Sequence, residues 1–431
     1  VQSYSQVAQT EAQKISDKFL NLLIKNDGKG MYEMFSPEVK EKLTLDQTSL
    51  VWGQITGMFG ELVNKGEIET NEYNGSVLCR CLLSFKNGNI EAKLSVNKDG
   101  LISGFFISPK QDEKKYDMPA YADTTKFVET LVKFGEEKFI LNGIVSLPKS
   151  TSKTPVVILV HGSGPHDMDE SVGPNRPFKD LAWGLASNGI AVLRYNKRTK
   201  QYPDKMIEIL DSADVYDEVI DDAVNAVNML SDNGNIYNID TNQIYVLGHS
   251  LGGTLLPRIT RETKKIAGVI SMAGMTRKLE NVLVDQYNYL YSLDGEISKD
   301  EQVKIDELKR QIANMLSDKL SRATPSDSLP LNMPAQYWMT FKTIDPASEI
   351  KDFKNRILIL QGLRDYQVTL EDYELWQKSL KGNKKADFKL YDDLNHLMQK
   401  GVGRSKPDEY YLPSAVDQKV IKDISEWIKK K

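Results

Sequence analysis

The run Gln-Ile-Tyr-Val-Leu-Gly-His-Ser-Leu-Gly-Gly at 243–253 constrains this chain more than any other stretch. Five mostly apolar residues lead into Gly248-His249-Ser250-Leu251-Gly252, and helix-like sequence follows. That is the form of a nucleophile elbow, a sharp strand-to-helix turn that lifts a serine hydroxyl clear of a sheet. The turn forces strained backbone geometry on the serine. Gly248 and Gly252 carry no Cβ to collide with the neighbouring strand and helix. A helix that begins at the serine aims backbone N–H groups at any negative charge developing there. Gly-x-Ser-x-Gly also occurs in surface loops, so the rest of the chain must supply the partners such a serine needs.

The first partner is a base that takes the hydroxyl proton and returns it to a leaving group. In the chain order Ser, then Asp or Glu, then His, it lies downstream, and His396 is the one histidine after Ser250. It follows a short strand-like run, 387–391, in a loop that can reach back to the elbow. The acid that orients the imidazole is expected just beyond the preceding buried strand. Residues 355–361 form that strand, and Asp365 lies in the loop after it. Asp372, Asp392 and Asp393 are rivals. The first is expected on a solvated helix face and the other two in a turn. Two backbone donors are needed for the tetrahedral oxygen. One is the N–H of Leu251, and the other comes from His161-Gly162-Ser163-Gly164, with Ser163 preferred and Gly164 the alternative. His161 and His249 flank these donors as braces. His166 either lines the entrance or is exposed.

The order of elements around these residues predicts the architecture. The apolar run 155–160 reads as a central parallel strand covered on both faces. Strand-like runs at 127–134, 138–147, 190–194, 265–272, 355–361 and 387–391 alternate with helical stretches at 177–188 and 211–230. This alternation predicts an α/β fold, a doubly wound, mostly parallel sheet, over residues 125–274 and 346–431. Residues 275–345 interrupt it with helical segments (277–290 and 299–320), a Pro-punctuated piece and an aromatic cluster. That insertion is expected to form a helical cap over the carboxyl ends of the strands, where ligands bind in such sheets. Tyr337, Trp338 and Phe341 of the cluster either line an apolar pocket or pack the cap onto the sheet. Pro257 falls inside the helix after the elbow and is expected to bend it near Gly253. Trp183 and Trp376 are read as exposed.

Residues 1–110 read as a separate small α+β accessory unit, with helical stretches at 8–25 and 47–59 before strands at 76–85, 90–96 and 101–107. Residues 111–124, polar and containing Pro119, read as a linker. This first unit resembles the cone-shaped modules of the nuclear-transport-factor-2-like kind, and the short domains that precede secreted bacterial α/β-hydrolases.

Composition narrows the class of function. A net charge of −4 over 431 residues, with no dense basic stripe, argues against nucleic acid as a partner. No apolar run approaches the roughly 20 residues of a transmembrane segment. Four histidines without CxxC or HExxH spacing give no metal site. Cys79 and Cys81 lie on one face of a strand and read as core thiols, because a disulfide at that spacing would strain the strand. The chain carries no initiator Met and no signal-peptide core, which reads as N-terminal processing. Export or cell-surface anchoring after removal of a signal is the expectation, with a cytoplasmic location as the alternative.

His161-Gly162-Ser163-Gly164-Pro165, Gly248 through Gly253, Gln361 through Asp365 and Leu394-Asn395-His396, in this order, resemble the α/β-hydrolase superfamily over residues 125–431. The nearest kind is the bacterial esterases of the dienelactone-hydrolase and acyl-aminoacyl-peptidase-like branch. The resemblance implies a serine carboxylesterase acting through a Ser250–His396–Asp365 triad and an acyl-enzyme that water hydrolyses. It does not by itself imply a substrate. The leading expectation is a small-molecule carboxylic ester with a short or medium acyl group, and no cofactor. Thioesterases and peptidases or amidases share the framework. Oligopeptidases of the related group carry a propeller, for which residues 1–110 are too few. A binding scaffold on an inactive hydrolase fold is the reading from another class, and it has no need to keep all three triad residues.

Overall fold

The structure is a computed structural model and describes residues 2–73, 76–86, 88–110, 116–136 and 138–430. The chain divides into two compact units, 1–114 and 115–431.

In the first unit a helix, Gln2–Ile24, and a second, Leu45–Phe59, accompany a four-stranded antiparallel sheet. Its strands are β1 (Leu62–Tyr73), β2 (Ser76–Phe85), β3 (Gly88–Val96) and β4 (Ile102–Lys110), in that spatial order. Phe19, Leu20 and Leu23 of the first helix pack with Cys79, Cys81, Leu83, Ala92 and Leu94 of the sheet. Both cysteines are free and buried, and burial pushes their thiols up. The edge strand β1 is not legible as a strand in the sequence. Its run Asn64-Lys65-Gly66-Glu67-Ile68-Glu69-Thr70-Asn71-Glu72 buries only Ile68, so it lacks the apolar alternation that marks a strand. Asn87, between the strands expected at 76–85 and 90–96, lies outside the described residues.

The second unit holds an eight-stranded sheet. Its strands are β5 (Phe127–Phe134), β6 (Leu141–Pro148), β7 (Thr154–Val160), β8 (Ala191–Tyr195), β9 (Ile239–His249), β10 (Gly268–Met272), β11 (Arg356–Gly362) and β12 (Ala386–Tyr391). The spatial order is β12-β11-β10-β9-β7-β8-β6-β5. The pairs from β8 through β7 to β12 are parallel, and β5 and β6 complete the other edge antiparallel. The expected doubly wound, mostly parallel sheet is therefore present. Alternate residues of the central strands feed two cores, as the two-residue period of a strand requires. Val157, Leu159, Tyr245 and Leu247 meet helices Pro177–Ser187 and Gln418–Lys429 on one face. Val156, Ile158, Val160, Ile244 and Val246 meet helices Asp221–Asp232 and Leu251–Glu262 on the other.

Several expectations need correction. The helical reading of 211–230 resolves into a π-helical turn, Tyr216–Ile220, followed by Asp221–Asp232, with its inward residues as expected. Helix Leu251–Glu262 contains Pro257 in its interior, as expected. The carbonyl of Gly253, which loses its donor to the proline, has Ser271 Oγ at 3.5 Å instead. Trp376 is buried, not exposed, because its indole N–H donates to the Gly274 carbonyl at 2.8 Å. Trp183 is half-buried beside Tyr116 and Phe127, and its N–H donates to Glu129.

Of the expected linker 111–124, residues 111–115 lie outside the described residues. The remainder is anchored on the second unit. Tyr116 OH donates to Asp180 and Tyr121 OH to the Val416 carbonyl, each at 2.7 Å. The insertion after β10 contains helices Leu279–Tyr291, Lys299–Leu316 and Ala335–Phe341. No helix among the described residues is long and apolar enough to cross a membrane.

Candidate active site

The loops at the carboxyl ends of β7, β9, β11 and β12 build the site. Val160 at the end of β7 pairs in register with Gly248 of β9, and His249 pairs with Met272 of β10. This register sets the loop 161–164 beside the elbow. Ser250 sits at φ 52°, ψ −118°, a conformation that costs a non-glycine residue about 1–3 kcal/mol. Its N–H is held by the Met272 carbonyl at 3.0 Å. The flanking glycines are required by contact. A Cβ on Gly248 would stand 2.3 Å from the Gly252 carbonyl carbon, and one on Gly252 would stand 2.3 Å from the Val160 oxygen. Strand, turn and helix interlock at backbone distance, so that any side chain there would push the serine out of position.

Asp365 lies just past β11 and is buried. Its Oδ1 accepts the N–H groups of Gln367 (2.7 Å) and Val368 (3.0 Å), which fixes the carboxylate plane. Its Oδ2 is 2.6 Å from His396 Nδ1. A carboxylate oxygen there calls for the proton on Nδ1, which leaves Nε2 as the lone-pair atom of the ring. Ser250 and His396 line the same cavity. No hydrogen bond joins their side chains among the described residues. In free enzymes such bonds are often long and tighten when substrate binds. Among the rival acids, Asp372 is fully buried, not on a solvated face. It accepts from the N–H groups of Thr276 and Arg277, each at 2.9 Å, and from Arg277 Nε at 3.0 Å. Asp392 and Asp393 lie in a surface turn.

The backbone N–H groups of Leu251 and Ser163 donate to nothing among the described residues, and both residues line the cavity. The loop that carries Ser163 is clamped from three sides. Gly162 N–H donates to Glu170 Oε1 at 2.8 Å, Lys197 Nζ donates to the Gly162 carbonyl at 2.8 Å, and His166 Nε2 is 2.7 Å from the Ser163 carbonyl. His166 also lines the cavity.

The two flanking histidines differ electrostatically. Burial holds His161 down to about 3, and its Nε2 lies 3.0 Å from the Asp167 carbonyl, so it is neutral and braces the loop. Burial would lower His249 as well. The Glu170 carboxylate, 2.8 Å from His249 Nδ1, outweighs it and raises the imidazole above its usual range. Burial would raise Glu170 in turn, but the charge of His249 beside it draws it down to about 2. His249 Nε2 donates to the His396 carbonyl at 3.0 Å. One buried chain, Gly162–Glu170–His249–His396, therefore ties the loop, the elbow and the histidine segment together.

Sequence reasoning missed Glu170, Lys197 and Glu218. A lysine two residues past the buried strand ending at Tyr195 is a faint signal for Lys197. Nothing in the sequence singles out the other two.

The cavity has a volume of about 920 Å³ and mostly apolar walls. Val282, Leu283, Met333, Tyr337, Trp338 and Phe341 of the insertion form much of it. The three rings are buried in the core and also line the cavity. Among the described residues no group of three or more His, Cys, Asp or Glu side chains could hold a metal ion.

An eight-stranded sheet of this order, with a strained serine at the end of its fifth strand and a carboxylate–histidine pair on later loops, defines an α/β hydrolase. Residues 144–380 match the family described as BD-FAE, and residues 16–105 match a family described as a protein of unknown function (DUF3887). Over 96% of its length, and 94% of the relative's, the chain is 37% identical to Esterase EstD of Thermotoga maritima. Solved structures similar to it include a Pyrococcus furiosus esterase, at 16% identity and TM-score 0.44, covering 70% of this chain and 91% of that one. Est1E of Butyrivibrio proteoclasticus is another, at 16% identity and TM-score 0.42, covering 70% and 99%. The chain belongs to the BD-FAE family of α/β-hydrolase esterases, and it is a carboxylesterase.

Proposed function

We propose that the chain cleaves carboxylic esters of small molecules, with short or medium acyl groups, through a Ser250–His396–Asp365 triad and an acyl-enzyme. The observation that carries this reading is the 2.6 Å contact of His396 Nδ1 with Asp365, at a cavity that also contains the strained Ser250. His396 Nε2 takes the Ser250 proton as Oγ bonds to the ester carbonyl carbon. The carbonyl π pair moves onto oxygen and is met by the N–H groups of Leu251 and Ser163, each worth about 3–4 kcal/mol to the transition state. Collapse expels the alkoxide, which takes the proton from His396 and leaves as alcohol. Water, deprotonated by the same nitrogen, attacks the acyl-enzyme, and a second collapse returns the proton to Ser250 and releases the acid. Asp365 holds the imidazole tautomer throughout and stabilises the imidazolium. The apolar wall from Tyr337, Trp338 and Phe341 suits the acyl chain, and His166 shapes the entrance while holding the Ser163 carbonyl.

The test is a chromogenic ester series from acetate to dodecanoate, run beside matching thioester and amide analogues. Fluorophosphonate labelling of wild type and Ser250→Ala accompanies it. Turnover best at butyrate to octanoate esters, with labelling lost in Ser250→Ala, is expected. Labelling that survives in Ser250→Ala, or amide turnover without ester turnover, overturns the reading.

A further inference from the structure

We propose that Lys197, held by Glu218 and through it by Tyr337 of the cap, is a positioning residue that sets the plane of the Gly162–Ser163 peptide. This inference rests on the assignment of the Ser163 N–H as an oxyanion donor. The Gly162 carbonyl and the Ser163 N–H are the two ends of one rigid amide, so fixing the carbonyl fixes where the N–H points. Lys197 Nζ, buried with its whole side chain, donates to that carbonyl at 2.8 Å. The same ammonium meets Glu218 Oε1 at 2.5 Å, and Glu218 Oε2 accepts from Tyr337 OH at 2.9 Å. Burial and the Glu218 charge push the Tyr337 phenol up, which keeps it a donor. The backbone of Lys197 is anchored in the same place, since its N–H donates to the His166 carbonyl at 3.1 Å.

Two consequences follow from the chemistry. An ammonium on the carbonyl draws electron density from the amide and makes its N–H a stronger donor, as in cooperative hydrogen-bond chains. The gain is larger when the oxyanion has formed than when the neutral ester is bound, so it acts on kcat and not on KM. The relay also ends on a residue that lines the cavity, so the seating of the cap aromatics is coupled to the geometry of the oxyanion donor.

The experiment compares wild type, Lys197→Met, Lys197→Arg, Tyr337→Phe and the double variant Lys197→Met/Tyr337→Phe on the best ester. Thermal melts establish that each is folded. Losing an oxyanion donor outright costs about 10²–10³ in kcat, so Lys197→Met, which misdirects the donor, is expected to lose about tenfold to a hundredfold. KM should stay within about twofold, as for a loss confined to the transition state. Lys197→Arg should recover part of the loss. The Ki of a trifluoromethyl ketone, which captures the serine as an oxyanion, should rise by the factor that kcat/KM falls. Tyr337→Phe should lower kcat alone, and its effect should vanish in the Lys197→Met background.

If Lys197→Met does not fold, Tyr337→Phe and its Ki carry the test. Wild-type kcat in a folded Lys197→Met, or in Tyr337→Phe when that variant is the one measured, overturns the relay. A loss that falls on KM with an unchanged ketone Ki overturns it as well. Failure of the triad reading looks different, because wild type would then not be labelled by fluorophosphonate at Ser250.

Discussion

Replacing Glu170 by Gln tests the electrostatics under the elbow. The substitution keeps the shape and leaves the hydrogen bonds attainable. The amide oxygen still accepts the Gly162 N–H, and the amide nitrogen can donate to Nδ1 of a neutral His249 whose Nε2–H still serves the His396 carbonyl. Only the ion pair is lost. In the native protein the Glu170 carboxyl is drawn from 4.5 to about 2 by His249, against the effect of burial. At about 1.4 kcal/mol for each tenfold change in proton affinity, the net contribution of the charged carboxylate, after the opposing effect of burial, is about 3.5 kcal/mol.

The pH dependence follows from the two partners. The Glu170 share is fully present above pH 4.5 and is lost as pH falls towards 2. His249 is raised above 6.5, so its share is fully present below 6.5 and is lost as pH rises through its folded value. The window of full contribution is therefore about pH 4.5–6.5. At about 2 °C per kcal/mol for a large domain, Glu170→Gln should lower the melting temperature of the hydrolase unit by about 7 °C near pH 5.5. The gap between variant and wild type should narrow on both sides. Differential scanning calorimetry at half-unit pH steps reads it. A gap that is the same from pH 3 to pH 9, or absent at pH 5.5, refutes the assignment of a buried ion pair.

Two other outcomes are expected. Asp365→Asn can place its NH₂ toward His396 and favour the wrong tautomer, so kcat should fall by about 10³–10⁴ with little change in KM, measured on the best chromogenic ester. Asp372→Ala strips the partner from two backbone N–H groups and leaves the Arg277 guanidinium with only Asp285 and Glu371, which should destabilise the unit by about 2–4 kcal/mol in a denaturant titration.

The fold was largely readable because each buried strand of the large sheet is a short apolar run between turn signals. The elements that leave no mark in the sequence do so for different reasons. The edge strand β1 is polar on both faces, so its pairing with β2 leaves no periodic mark. Helix Gln418–Lys429 does carry a signal, since Val420, Ile421, Ile424, Trp427 and Ile428 repeat at helical spacing and all are buried. By residue type alone Asp372 belongs in solvent. Its burial depends on Arg277, 95 residues away in sequence.

The sequence by itself determined the elbow at Ser250, the single downstream histidine and the glycine-rich loop at 161–164. Those features obey local rules: which residues tolerate a strained turn, which follow a buried strand, and which chain order suits the chemistry. Tertiary structure alone decided how the loop at 161–164 is held. Glu170 meets His249, Lys197 meets Glu218, and Glu218 meets Tyr337 across 79, 21 and 119 residues of chain. A charged side chain is neutral evidence in a sequence, because the same Glu or Lys is at home in water. Its role is set when folding removes that water and leaves a specific partner in its place.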